Sequence, residues 1–444
     1  LSHSSAASDV YKRQILNNLK NLRGTTDLLP EQLKKWQNVE NIIKEQLLRA
    51  NVREIRTPII EMTELFVRGI GEGTDVVNKE MYTFADRGER SCTLRPEGTA
   101  SVARAYVNNG NLSGTFNKLW YMGPMFRYER PQAGRQRQFH QLGVEFIGYE
   151  SPNSDIKIIS LAWDLLQKLG ISELNLEINS LGDSTDREKY KISFLKWLKN
   201  NFDDLDQDSK VRINKNPLRI LDTKNPHTQK LLENAPKLNQ FLSEKSLERY
   251  TFIKKKLEFL KIPFVENPKL VRGLDYYSHT AFEITSGALG SQSTVCGGGR
   301  YDDLINQMGG GKTPAIGFAI GLERLMLIAG EGLEKGRDPD IYIINKGQLA
   351  ESFALALSRL LGNFDLITEL DLSGSSFSRQ FKKANKCNAK CVVVIGDEEA
   401  KKNEFLIKLF NNSSGNNNEM KISIEDNAKL EEWILTNLNL NISP

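Results

Sequence analysis

Four cysteines and four histidines are all that this chain of 444 residues carries, and the scarcity excludes much. Cys92, Cys296, Cys387 and Cys391 are too few and too scattered for a disulfide scaffold and fit a reduced, cytoplasmic protein. Cys387-x-x-x-Cys391 could open a metal site, but no second pair and no neighbouring histidine completes a closed ligand set. His3, His140, His227 and His279 are too dispersed for zinc or for a nucleophile triad. No apolar run approaches the ~20 residues needed to span a bilayer, so no membrane role is expected. Charge of one sign is missing too. With 60 Lys and Arg against 56 Asp and Glu, any nucleic-acid surface must come from local asymmetry.

Two familiar signals are also lacking. Gly309-Gly310-Gly311-Lys312-Thr313 is no P-loop, because Asn306 stands where the upstream glycine is required and Pro314 blocks a helix from opening. It reads as a turn, which moves the nucleotide site onto a sheet. The N-terminus has no initiator Met and no apolar core of a signal peptide, and its Ser and basic residues only faintly suggest a transit peptide. Residues 1–18 are read as a non-native flank and left out of the fold.

The length predicts about three domains. A helix is signalled after Asp27, with Pro30 in its first turn and Leu33, Trp36, Val39, Ile43 and Leu47 along one side. Residues 119–122 read as a buried strand and 143–148 as its antiparallel return, within a sheet packed by helices. Helical spacing returns over 156–169, a strand follows at 174–178, and residues 186–262 are charged, helical in pattern and poor in glycine. After a helix over 325–329 comes a polar, Gly-rich, Pro-terminated linker. Strand patterns at 341–344, 366–370 and 392–395 then alternate with helical ones at 349–361 and 377–384, implying a small, mainly parallel sheet with crossover helices. Residues 411–418 read as a flexible loop between two short strands.

The richest stretch is 126–145. Read as strands, it puts Arg127 and Glu129 on one face, and Phe139, Gln141 and Glu145 on one face. If both faces line one floor, they offer a cation, an aromatic plate, an amide and a carboxylate, a set suited to a nucleotide beside a small polar substrate. The plainer alternative is a solvated, salt-bridged hairpin. Downstream, the small residues of 317–321 let a strand pass closely under a ligand, and Arg324 extends over it as a planar cation for phosphate or base. Arg379, Lys382, Lys383, Lys386 and Lys390 cluster on and after the 377–384 helix, either as a solvated face or as an RNA contact. His140, of opposite parity to Phe139 and Gln141, reads as structural, and so does Tyr276 beside Tyr277.

Taken in order, Arg127-x-Glu129, the loop and Arg135-x-x-x-Phe139 resemble the second signature motif of class II aminoacyl-tRNA synthetases. Gly317-Phe318-Ala319-Ile320-Gly321-Leu322-Glu323-Arg324 looks like the third. Val52-Arg53-Glu54-Ile55-Arg56-Thr57-Pro58-Ile59-Ile60 resembles the first, which in that family forms a dimer interface around its Pro. Leu270-Val271-Arg272-Gly273-Leu274-Asp275-Tyr276-Tyr277 closely resembles a signature peculiar to histidyl-tRNA synthetases. Leu94-Arg95-Pro96-Glu97-Gly98-Thr99, Gly298-Gly299-Arg300-Tyr301-Asp302 and Arg23-Gly24-Thr25-Thr26-Asp27-Leu28-Leu29-Pro30 accompany it. Gln136 departs from the pattern, standing where an aromatic is common, which puts loop contacts to the tRNA end in doubt.

The resemblance implies an α+β class II catalytic domain over 19–330, an antiparallel sheet flanked by helices, with a helical insertion at about 186–262. A linker at 331–338 and a C-terminal α/β anticodon-binding domain at 339–444 follow. It implies adenylation of L-histidine by ATP, with Mg²⁺ carried on the phosphates and no dedicated metal site, then transfer to the 3′ end of tRNA(His) by a homodimer. Arg127 and Arg272 would be catalytic. Arg127, Glu129, Arg135, Phe139 and Arg324 would bind ATP, and Glu97, Thr99, Gln141, Glu145, Arg272, Tyr277 and Tyr301 would bind histidine. Arg379, Lys382, Lys383 and Lys386 would contact tRNA. A regulatory paralogue that senses histidine shares the catalytic fold, but typically lacks the second domain and lets the ATP motifs decay. Arg127, Arg272 and Arg324 are intact here.

Overall fold

The computed structural model describes residues 20–438 except 111, 224, 272, 273, 275, 293, 331, 334–337, 365 and 411–418. The expected flank, most of the linker, Arg272 and the 411–418 loop therefore lie outside the described residues. The chain divides into two compact units, 1–334 and 335–444.

The first unit opens with the predicted helix, Pro30–Arg49, whose Pro stands in the first turn. Trp36, Val39, Ile43 and Leu47 recur at helical spacing and are buried, which is what holds so polar a helix in place. Strands β1 (Arg53–Glu54), β2 (Ile60–Met62), β3 (Tyr82–Ala85) and β4 (Ser91–Leu94) follow, then β5 (Asn117–Phe126), β6 (Gln138–Ile147), β7 (Leu174–Ser180), β8 (Phe264–Glu266), β9 (Ser278–Ser286), β10 (Thr294–Arg300) and β11 (Ala315–Gly321). Eight of them form one sheet in the order β1-β5-β6-β11-β10-β9-β7-β8. Its six inner strands are antiparallel, and a short parallel strand pairs at each edge. Strands β2, β4 and β3 make a small separate sheet.

The two faces of the large sheet differ because strand side chains alternate. Trp120, Leu142, Val144, Phe146, Ile316, Phe318, Ile320, Phe282, Ile284, Leu176 and Ile178 point to one face and join a core with the helices Pro30–Arg49, Asn153–Lys168 and Glu244–Phe259. On the other face the register sets Glu145 opposite Gly317, Gly317 opposite Gly299, and Ala319 opposite Gly297. A strip nearly without side chains thus runs down the middle of that face. Flanking residues can lean over it: a Cβ at position 317 would come within 1.8 Å of a Glu145 carboxylate oxygen.

The region read as helical does fold as helices, Ser184–Asn200, Gln207–Lys215, Pro226–Leu231 and Glu244–Phe259. Asp186 staples its two ends, accepting from Ser243 N at 3.0 Å and from Ser246 Oγ at 2.6 Å.

In the second unit, β12 (Ile341–Lys346), β13 (Thr368–Leu370), β14 (Cys391–Gly396), β15 (Glu404–Leu409) and β16 (Glu419–Ser423) form a sheet ordered β13-β12-β14-β15-β16. The expectation of a mainly parallel sheet holds for only half of it. β12 runs parallel to β13 and β14, whereas β14–β15 and β15–β16 are antiparallel. Only residues 397–403 separate β14 from β15, too few for the crossover of about a dozen residues that parallel pairing needs.

Candidate active site

One cleft of about 1160 Å³ opens on the glycine-lined face of the large sheet. Glu97, Thr99, Arg127, Glu129, Arg135, Phe139, Gln141, Glu145, Tyr277, Tyr301 and Arg324 all line it. These positions come from five separated stretches of chain, so their convergence is a product of the fold. Val271 and Leu274 line the cleft, whereas Arg272 lies outside the described residues.

At one end the groups are buried. Glu145 on β6 is 1% exposed; it accepts from Thr99 Oγ1 at 2.7 Å and from the Tyr301 hydroxyl. Burial pushes its carboxyl up to about 8, against the lowering effect of those hydroxyls. Glu97 is equally buried and caps the helix Thr99–Asn108, accepting from Thr99 N at 2.6 Å and Ala100 N at 2.8 Å. Burial raises its carboxyl as well, opposed by those backbone bonds. Gln141 presents an Oε1 that is buried and makes no hydrogen bond within the described residues.

Tyr276 packs into the core as expected, 4% exposed, but it also reaches the cleft. Strand β9 begins only at Ser278, so strand parity does not separate residues 276 and 277. Both line the cleft, with rings 4.7 Å apart, and the Tyr276 ring also meets Tyr301 at 5.6 Å. Burial holds the Tyr276 hydroxyl well above its usual range, with Tyr277, Glu97 and Glu145 adding to the effect.

The other end is open and cationic. β5 stops at Phe126, so Arg127 and Glu129 meet through a turn, closed by Glu129 N–H donating to Arg127 O at 2.8 Å, rather than through strand parity. The Arg127 Nε donates to Pro96 O at 2.8 Å, and its guanidinium lies 5.3 Å from the centre of the Phe139 ring. Glu129 lies 3.2 Å from Arg135 and 3.8 Å from Arg127. Arg324 donates to Thr294 O at 2.9 Å; burial first and the neighbouring Arg135 second depress its guanidinium. Glu80 stands behind this group, raised by burial and then by Glu129. Arginines crowded against one another favour an anion between them.

Sequence reasoning missed three contributors. Glu283, on β9, lines the cleft and accepts from Thr294 Oγ1. Arg187, at the start of the helix Ser184–Asn200, donates from Nη1 to Tyr277 O at 2.5 Å. Tyr276 is the third. The fragment signals around Tyr276 were legible; the long-range pairs were not. His140, read as structural, bonds Glu323 at 2.9 Å and meets Trp36 edge-on.

In the second unit, Arg379, Lys382, Lys383 and Lys386 are exposed on the helix Phe377–Lys386. Lys383 is drawn to the buried Asp371 at 3.3 Å, and Lys390, just beyond, to the buried Asp340 at 2.7 Å.

Comparison with known proteins identifies the family. The histidyl-tRNA synthetase family model matches residues 24–183 and 199–325, and an anticodon binding domain model matches 340–429. A histidine–tRNA ligase of Prochlorococcus marinus (strain MIT 9515) is 72% identical over 426 residues, 96% of this chain and 99% of that protein. The crystal structure of apo S. aureus histidyl-tRNA synthetase superposes with a TM-score of 0.76 at 36% identity, covering 93% of this chain and 99% of that one. An ATP phosphoribosyltransferase regulatory subunit/histidyl-tRNA synthetase from Bacillus halodurans C shares the fold alone, at 22% identity and a TM-score of 0.61 over 85% of this chain and 98% of that one. With a synthetase model over most of its first unit and an anticodon-binding model over its second, this chain belongs to the histidyl-tRNA synthetase family.

Proposed function

We propose that the cleft joins L-histidine to ATP and then hands the histidyl group to tRNA(His), as a histidine–tRNA ligase. The observation that carries this reading is the pairing, on one glycine-floored face, of a buried carboxylate and tyrosine end with an open arginine end. The first step is attack of the histidine carboxylate on the α-phosphorus, breaking the bond to the β-phosphate oxygen and releasing pyrophosphate. Both reactants are anions, so fixed cations must stabilise the phosphoryl oxygens in flight. Arg127 and Arg272 take that role, while Arg135 and Arg324 hold the outer phosphates and Phe139 stacks on adenine. In the second step the terminal ribose hydroxyl attacks the acyl carbon and AMP departs.

At the buried end, Glu145 and Tyr277 would bond the two imidazole nitrogens. Glu97 and Thr99 would take the α-amino group, Gln141 would assist, and Tyr301 would close the pocket through its bond to Glu145. Magnesium enters with ATP. Glu129 and Glu80 offer it the oxygen donors it prefers; Glu80 is raised by burial first and by Glu129 second, and a dication would relieve that second contribution. Arg379, Lys382, Lys383 and Lys386 are assigned to tRNA. A homodimer is proposed around Pro58, where Ile59, Ile60 and Met62 are 41%, 51% and 47% exposed. None of the helices among the described residues is long and apolar enough to cross a membrane, and a cytoplasmic location is proposed from the four free thiols.

Histidine-dependent exchange of labelled pyrophosphate into ATP, without tRNA, tests the reading. Exchange with histidine alone among the amino acids is expected. Histidine binding without exchange would instead favour a histidine-sensing regulator.

A further inference from the structure

Tyr121 lies in the middle of β5, 3% exposed, and its hydroxyl sits close enough to Thr99 and Glu145 to favour the charged Glu145 carboxylate, yet short of full hydrogen-bond geometry with either. Its ring occupies a slot cleared by glycines: a Cβ at position 98 or 143 would come within 2.2 or 2.1 Å of it. The hydroxyl faces Glu145, Glu97 and Thr99, yet it does not line the cleft. A buried hydroxyl held short of a full hydrogen bond costs stability, and a core position could carry Phe at no such cost; a closed state of the site would relieve that cost.

Glu145 identifies that state. Its carboxylate accepts from Thr99 and Tyr301, and a carboxylate can accept about four hydrogen bonds. A substrate N–H and Tyr121 would complete the set. We propose that Tyr121 is a positioning residue for histidine recognition: its hydroxyl closes onto the Glu145 carboxylate when the imidazole binds, holding that carboxylate ionised and in place. This rests on the function proposed above. Glu145 is faced by Tyr121 from β5, by Glu97 and Thr99 from the segment opening the helix Thr99–Asn108, and by Tyr276 from the segment before β9. Tyr301 faces it from the end of β10, and Gly317 of β11 adds backbone only. Tyr121, Tyr276 and Tyr301 all stay protonated across the working range, their hydroxyls being raised by burial. Arg127 reaches Glu97. Burial already pushes Glu145 up to about 8, so losing one donor to its charged form should push it further up.

The test is Tyr121→Phe in the full chain, followed by pyrophosphate exchange from about pH 6 to about pH 9, a range that brackets the Glu145 carboxyl. The KM for histidine should rise about 10-fold near neutral pH, the size expected for a hydrogen bond to a charged group. The KM for ATP should stay within about 2-fold, because a purely local change leaves the other substrate's binding untouched. The rise of kcat/KM for histidine with pH should move to higher pH, and the free protein should melt at the same temperature or above. An unchanged histidine KM and pH profile would make Tyr121 a packing residue and overturn the proposal. Equal losses for both substrates would mean a distorted site and overturn it as well. If the parent chain shows no histidine-dependent exchange, the functional reading fails and carries this inference down with it.

Discussion

The two ends of the cleft solve recognition in opposite ways. At the buried end, assigned above to histidine, Glu145, Glu97 and Tyr301 are at most 2% exposed and already hydrogen-bonded to one another or to a helix N-terminus. At the open end, assigned above to ATP, the Arg135 and Arg127 side chains are 44% and 22% exposed, and each pairs with Glu129. Selectivity at the buried end comes from hydrogen-bond geometry, because a wrong ligand leaves desolvated partners unpaired. Attraction at the open end comes from charge, as the polyphosphate proposed for it would require.

Arg127→Ala should break the comparison most severely. As a donor to charge that develops only in the transition state, its loss should lower kcat for exchange by roughly 100- to 1000-fold. Both KM values should move little, and steady-state exchange kinetics would check it; equal losses in kcat and in ATP affinity would contradict the role.

Glu145→Gln should come next, with kcat/KM for histidine falling about 100-fold and the KM for ATP unmoved, since a buried acceptor that can ionise against the imidazole is replaced by one that cannot. The same variant sharpens the comparison through pH. The Glu145 carboxyl is raised to about 8 in the folded chain, against an ordinary value of about 4.3 when unfolded. Its contribution to stability is therefore fully present below the unfolded value and is lost as pH rises through 8. Melting curves should show the parent losing more stability than Glu145→Gln between about pH 5 and pH 9, since only the parent must ionise a buried carboxyl there.

Arg135→Ala should raise the KM for ATP about 10-fold with kcat nearly unchanged, because a half-exposed phosphate contact contributes mainly uniform binding. Added salt should mimic it. Raising ionic strength from ~0.05 to ~0.5 M should weaken ATP binding and leave histidine binding almost untouched, because screening acts on exposed charge. A histidine KM that followed salt equally would dissolve the distinction between the two ends.

Arg187→Ala should have the smallest effect. Loss of its bond to Tyr277 O should raise the histidine KM about 3- to 5-fold. Arg187→Lys should restore part of the affinity, and titration of exchange against histidine would show it.

Legibility followed the same division. The arginine end sat in continuous stretches: Arg127, Glu129, Arg135 and Phe139 fall within one hairpin, and Arg324 follows β11 directly. Their grouping could be read because local order along the chain nearly equals order in space. The second unit was legible in its βα alternation over β12 to β14, but its antiparallel half was not, since connection length rather than strand pattern decided direction. Strand parity did not separate Tyr276 from Tyr277, because both precede β9.

By itself the sequence determined the elements and the family: periodic apolar positions built the helix Pro30–Arg49, and motif residues at fixed spacing named the chemistry. Only the tertiary structure decided which groups share protons and partners. Thr99, Glu145 and Tyr301 are 46 and 156 residues apart, and Gly317 matters because β11 pairs with β6 and leaves Glu145 room. Burial and hydrogen bonding are properties of neighbours in space. No spacing along the chain could state that Glu145 would be desolvated, that Arg187 would hold Tyr277, or that the Tyr121 hydroxyl would stand beside Glu145.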